Sequence, residues 1–67
     1  MSSEEILEKF SADPIIRRLS IHVNCDGKEL ILVGYVRSYY AKQMAQEAAK
    51  KILKESSFFL KNKLQVV

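Results

Sequence analysis

Glycine and proline are scarce in this chain, with two glycines and one proline among 67 residues. So few breakers exclude a Gly- or Pro-rich linker, and each one present marks a particular backbone event. There is one cysteine, so no internal disulfide can staple the fold, and a lone thiol suits a reducing compartment. A single histidine and that single cysteine leave no cluster with metal-ligand spacing. Tryptophan is absent. No apolar run approaches the roughly 20 residues that span a bilayer, and the amino end, Met1-Ser2-Ser3-Glu4-Glu5, lacks the basic and apolar regions of a secretory signal. As it stands the chain reads as cytoplasmic.

The chain does contain enough apolar residues, 48%, for a globular protein. A domain this short buries only about 60% of its unfolded surface, so its core is thin. The expectation is a single domain over residues 1–67. Net charge is +3, with Glu4, Glu5 and Glu8 at the amino end and Lys50, Lys51, Lys54, Lys61 and Lys63 toward the carboxyl end. A basic region of this kind suits anionic lipid or nucleic acid, and equally an ordinary solvated face.

Ser2 or Ser3 can cap a first helix, Ser2-x-x-Glu5 having capping-box spacing, and Ile6, Leu7 and Phe10 share one face of it. Asp13-Pro14 ends that helix or opens a short second turn with Asp13 as cap. Two alternating stretches follow, Arg17–Asn24 and Glu29–Val36, around Asp26-Gly27. Asp-Gly between such stretches predicts a type I′ hairpin. With 26 and 27 as the loop, Val23 faces Leu30, Ile21 faces Leu32 and Leu19 faces Gly34, and every apolar set falls on one face. Gly27 is assigned to the turn, and Gly34 to a bulge or a close helix approach. Ser38 caps a helix over Tyr39–Lys54 with a stripe of Ala41, Met44, Ala45, Ala48 and Ile52, Leu53 at its border, and an ion pair from Glu47 to Lys51. Leu60–Val66 is the last strand.

The predicted fold is α+β: a two-layer αββαβ arrangement whose three-stranded mixed sheet is covered on one face by two helices. The last strand runs parallel to the second through a right-handed crossover. The other sheet face then carries Ile31, Val33 and Tyr35, edged by Arg18, His22, Lys61 and Lys63. An apolar strip with a polar rim is the pattern of an association surface, and self-association through it would support a small core. The plain alternative is that a loop or the first helix covers it. His22 reads as an ordinary strand residue, Cys25 as a small residue beside the turn, and Met44 as core filler. Of Tyr39 and Tyr40, one is expected to pack on the sheet. No catalytic, cofactor-binding or metal-ligating set emerges, and the residues identify no reaction.

The stretch Ile21-x-Val23-x-x-Asp26-Gly27-x-x-Leu30-x-Leu32-x-Gly34-x-Val36-x-Ser38, the helix Lys42-Gln43-Met44-Ala45-Gln46-Glu47-Ala48-Ala49, and Asn62-x-Leu64-x-Val66 together resemble a BON domain. This αββαβ module takes its name from bacterial osmotic-stress and nodulation proteins. The resemblance covers nearly the whole chain. It implies a binding module without enzymatic activity, associated with phospholipid membranes, the cell envelope or partner proteins, and without a cofactor. The family usually places Gly-Val before its last strand, where this chain has Ser57-Phe58-Phe59-Leu60. The resemblance and the open face together give the expected partners: a protein or an anionic membrane surface, with a homo-oligomer possible. The alternative is nucleic-acid binding through the basic carboxyl-terminal region. Against it stand a single expected aromatic on the sheet face and the lack of a Gly-x-x-Gly loop.

Overall fold

The computed structural model describes residues 2–67; Met1, the first residue of the expected domain, lies outside them. Ser2 starts the first helix, α1 (Ser3–Ala12), as the sequence predicts. Its hydroxyl oxygen accepts from the Glu5 N–H at 3.2 Å and its O–H donates to Glu5 Oε1 at 3.3 Å. Asp13 serves two helices. Its N–H donates to the Phe10 carbonyl at the end of α1, while its Oδ1 accepts from Ile15 and Ile16 N–H at 2.9 and 3.1 Å. Pro14 then fills the first position of α2 (Pro14–Arg18), where its missing N–H costs nothing. The short second turn is therefore the observed form.

The first strand is correspondingly late. β1 covers His22–Asp26, not Arg17–Asn24. Residues 16–21 close α2 with a Schellman arrangement: Ile21 N–H donates to the Ile16 carbonyl at 3.2 Å and Ser20 N–H to the Arg17 carbonyl at 3.1 Å. Ser20 takes φ 56°, the left-handed conformation this cap requires. Ile16 and Ile21, the two residues the motif brings into contact, are both buried. The apolar alternation at Leu19, Ile21 and Val23 is thus shared between a helix end and a strand start.

The hairpin forms, two residues out of the expected register. β1 pairs antiparallel with β2 (Glu29–Val33), matching Asp26 with Glu29, Cys25 with Leu30, Val23 with Leu32 and His22 with Val33. The loop is Gly27-Lys28. Gly27 has φ 61° and Lys28 has no positive φ. Positive φ at the first central position alone is the requirement of a type II′ loop, which spares a lysine the left-handed conformation that type I′ would impose. A two-residue shift preserves facing, so Val23, Leu30 and Leu32 remain on the covered side.

Gly34 interrupts the second strand at φ 138°. A Cβ there would meet Leu64 at 3.8 Å and the Ser20 carbonyl at 4.0 Å, ordinary distances, and no helix atom. The glycine is therefore needed for its backbone angle and not for a close helix approach. Beyond it lies β3 (Tyr35–Val36). The last strand divides at the matching place into β4 (Phe59–Asn62) and β5 (Gln65–Val66). β2 pairs with β4, and β3 with β5, both parallel, with partners 30 residues apart throughout, from Glu29–Phe59 to Val36–Val66. The sheet order is β1-β2-β4, a three-stranded mixed sheet, continued by the β3-β5 pair. The protein is an α+β fold.

Ser38 caps α3 (Tyr39–Leu53), accepting from Ala41 N–H at 3.0 Å. Its buried stripe is Ala45, Ala48, Ala49 and Leu53. Leu53 is core, whereas Ala41, Met44 and Ile52 are only partly buried. The stripe is rotated because the alanines let α3 approach the sheet, where Leu30, Leu32 and Leu64 fill the space beneath it. Ile6 and Phe10 of α1 complete that core. The ion pair on α3 joins Glu47 to Lys50 at 3.9 Å, not to Lys51, and both ends are solvated, so it adds little stability.

Before the last strand, at Ser57-Phe58-Phe59-Leu60, the turn is made by a serine hydroxyl and not by a glycine. Ser56 Oγ donates to the Leu53 carbonyl at 3.0 Å and accepts from Phe58 N–H at 3.2 Å. The left-handed Ser20 is the one non-glycine residue with positive φ among the described residues. Ser20→Gly is therefore expected to raise unfolding free energy by about 0.5–1 kcal/mol, seen as a higher urea midpoint at unchanged slope.

Candidate functional site

Strand register fixes what the uncovered sheet face presents. Ile31 lies between Asn24 of β1 and Lys61 of β4. One pleat toward Gly34, Val33 lies opposite His22, and Lys63 follows on the β4 side, its N–H bonded to the Leu32 carbonyl at 2.9 Å. One pleat toward the hairpin, Glu29 lies between Asp26 and Phe59. Five of the expected surface residues, His22, Ile31, Val33, Lys61 and Lys63, therefore share one face. Tyr35 continues the strip past the Gly34 bend, 68% exposed, while its neighbour Val36 is buried on the opposite side. Arg18 is not a strand residue. It lies in the last turn of α2, because the Schellman cap keeps residues 14–18 helical. Gly27 and Gly34 have the structural roles assigned to them, as turn and as strand bend.

Phe59 belongs to this face and was not expected there. It is 69% exposed, aligned with Lys61 and Lys63 along β4. Extending the last strand one residue back gives it the same parity as the two lysines, which is the signal that would have found it. Asp26 and Glu29 were likewise missed as a pair. The register sets two carboxylates directly opposite each other at the hairpin end, an arrangement that costs a sheet some stability. Ile31 and Val33 are only partly exposed.

The exposed large side chains gather at a second place. Tyr39 and Tyr40 are 77% and 75% exposed, so neither packs on the sheet. Ser38 is the reason. As N-cap it starts α3 immediately after β3, and in the first helical turn it is Ala41 that packs against the core, which leaves both tyrosines exposed. Tyr35, Arg37, Tyr39 and Tyr40 fall within six residues, with Lys42 one turn further along. Val67, 74% exposed, is held beside them by its N–H bond to the Val36 carbonyl at 2.9 Å. Four of the five most exposed large apolar side chains thus lie at the carboxyl end of the β3–β5 pair.

Two grooves flank the helices. One, of about 410 Å³, lies between α1, α2 and β1 and is lined mainly by Leu7, Phe10, Ile16, Ile21 and Val23. The other, of about 320 Å³, lies between α2 and α3 and is lined by Ile15, Tyr40, Met44 and Ala48 with Asp13 and Lys51 at its rim. Met44 is therefore a groove residue, not core filler. Cys25 is partly buried on the covered side of β1, its thiol 3.5 Å from the Gly27 carbonyl. Among the described residues no three His, Cys, Asp or Glu side chains converge as metal ligands, and no helix is long and apolar enough to cross a membrane.

No protein-family model, curated protein or solved structure matches this chain. The surfaces must therefore be judged on their own chemistry. Phe58 and the tyrosines make opposite contributions. Phe58 is buried and receives Lys28 Nζ at 4.7 Å from its ring centre, whereas the tyrosines of α3 are largely exposed. Phe58→Ala is expected to cost about 3–5 kcal/mol, while Tyr39→Ser with Tyr40→Ser stays within about 0.5 kcal/mol per site, both read by urea unfolding.

Proposed function

We propose that this protein is a non-enzymatic binding module of BON type, and that it acts from the cytoplasmic side by applying its tyrosine-rich end to an anionic membrane surface. The observation that carries this reading is the clustering of Tyr35, Tyr39, Tyr40 and Val67, all at least two-thirds exposed, around Arg37 and Lys42. Tyrosine combines an apolar ring with a hydroxyl that prefers water, which suits the headgroup layer of a bilayer. Basic side chains beside it gain about 1 kcal/mol each near an anionic lipid surface. The net charge of +3 acts in the same direction. The BON resemblance supports a membrane or envelope partner independently of this geometry.

Nucleic-acid binding fits less well. Phe59 gives the open face a second aromatic, but it lies three pleats from Tyr35, roughly 20 Å along the strands. A stacking platform sets its aromatics side by side. Glu29 lies beside Phe59, with Asp26 next to it on β1, and both repel phosphate.

Co-sedimentation with vesicles tests the proposal. The protein is expected to pellet with vesicles rich in phosphatidylglycerol or phosphatidylserine, and to remain in solution with phosphatidylcholine alone. Replacing Tyr39 and Tyr40 by serine together with Arg37→Glu and Lys42→Glu should weaken binding at least about tenfold, since two attractive charges become repulsive. Equal sedimentation of the variant, or no pelleting at low salt, contradicts the proposal. A shift of single-stranded RNA under the same conditions favours the nucleic-acid alternative.

A further inference from the structure

We infer that the open sheet face is a contact between two copies of this chain, related by a two-fold axis that sets Lys61 and Lys63 of one against Glu29 and Asp26 of the other. The argument starts from the placement of charge. The face has its acidic pair, Asp26 and Glu29, at the hairpin corner toward β1, and its basic pair, Lys61 of β4 and Lys63 just past its end, toward the other end. Ile31 lies between the two pairs. Among the described residues none of these four groups has an ion-pair partner; the one ion pair there is Glu47–Lys50 on α3. Each pair also carries like charges at close spacing, a repulsion that an oppositely charged partner surface would turn to attraction.

A surface with opposite charges at opposite corners complements itself. Strands in a sheet lie about 4.8 Å apart and residues two apart on one strand about 6.7 Å apart, so the face is an oblong grid, and the long lysine side chains span the few ångströms by which it departs from a square. A two-fold axis in the plane of that grid, running from Phe59 through Ile31 to His22, exchanges the two charged corners. It brings Lys61 over the partner's Glu29, Lys63 over the partner's Asp26, and Ile31 and Phe59 each against their own copies. The strands of the two sheets then cross steeply, one of the regular modes of sheet packing. An isologous contact of this kind closes at two copies and leaves no free face for a chain of molecules.

The same charges argue against other occupants. A phosphate polymer or anionic membrane laid on this face meets Asp26 and Glu29 directly. An acidic partner protein satisfies the lysines and strands the carboxylates. Only a surface carrying both signs in this diagonal order satisfies all four groups, and a second copy supplies one. The face measures roughly 14 by 17 Å, below the area of a standard protein interface of about 800 Å² per partner. The dimer is therefore a micromolar, salt-sensitive one, held by charge register around a small apolar centre.

Charge-swap sedimentation of the full chain tests the inference. In low salt the native protein is expected to move from monomer to dimer across the micromolar range, and to return toward monomer at high salt. Lys61→Glu with Lys63→Glu makes both corners acidic, and Asp26→Lys with Glu29→Lys makes both basic. Each double variant alone should weaken dimerisation at least about tenfold. Mixed in equal amounts, the two should form a heterodimer tighter than either homodimer. All four positions are solvent-exposed, so circular dichroism should match the native chain. If a variant fails to fold, chemical shifts of the native protein on dilution give the second reading: Ile31, Val33 and Phe59 should move while the α3 tyrosines stay fixed. A native chain that stays monomeric, a mixture that forms no heterodimer, or dilution shifts outside this face overturns the inference. Loss of vesicle binding with dimerisation intact counts against the membrane proposal alone.

Discussion

One parallel ladder holds the rest of this structure in place. Phe59, Lys63, Gln65 and Val67 donate their N–H groups to the carbonyls of Lys28, Leu32, Gly34 and Val36, at 2.7, 2.9, 3.0 and 2.9 Å. The donor follows its acceptor by 31 residues every time. Although β2–β3 and β4–β5 each break midway, the ladder does not lose step across the break. Two matched interruptions bend both strands together, one at Gly34 and one at Lys63-Leu64. The second is set by Asn62, whose Oδ1 accepts from Leu64 N–H at 3.0 Å while its Nδ2 donates to Gln46 of α3 at 3.1 Å. A parallel pair needs a crossover, and α3 is that crossover. The asparagine therefore ties the helix to the bend it spans.

Everything offered to solvent follows from that register. A slip of one residue would carry Ile31 and Val33 into the core and expose Leu30 and Leu32, both fully buried now. The same constant offset sets Lys61 beside Ile31 and Phe59 beside Glu29, and brings Val67 to the tyrosines of β3 and α3. Two surfaces result, with different chemistry. The sheet face carries both charge signs around a small apolar centre. The strand end carries tyrosine and basic charge without nearby carboxylates from the same segment.

The covered face was legible in the sequence because β periodicity states it outright: Val23, Leu30 and Leu32 share a face that any even shift of the hairpin preserves. For the same reason the expected face was right while the expected pairing was two residues off. Asp-Gly reads as the loop by composition, but Gly-Lys satisfies the turn with one positive φ instead of two. Ser38 and Ser2 were legible as caps because their hydroxyls act locally. The Schellman cap at Ser20 was not, since glycine is the residue that advertises such a cap and serine is not. Arg18 was placed on the wrong element as a direct consequence. That Tyr39 and Tyr40 are both exposed while Ala41 packs on the core depends on how α3 is rotated against the sheet, a tertiary property that no local pattern encodes. Phe59 was hidden by a strand boundary drawn one residue late.

The register itself is open to direct observation. Through-hydrogen-bond scalar couplings in the isotope-labelled protein connect each amide nitrogen with the carbonyl carbon it bonds. The account predicts couplings from Lys63 to Leu32, from Gln65 to Gly34 and from Val67 to Val36, all with the same separation. Couplings from Gln65 or Val67 to carbonyls at any other separation, or none on the far side of Gly34, would contradict a ladder that keeps step through the bend.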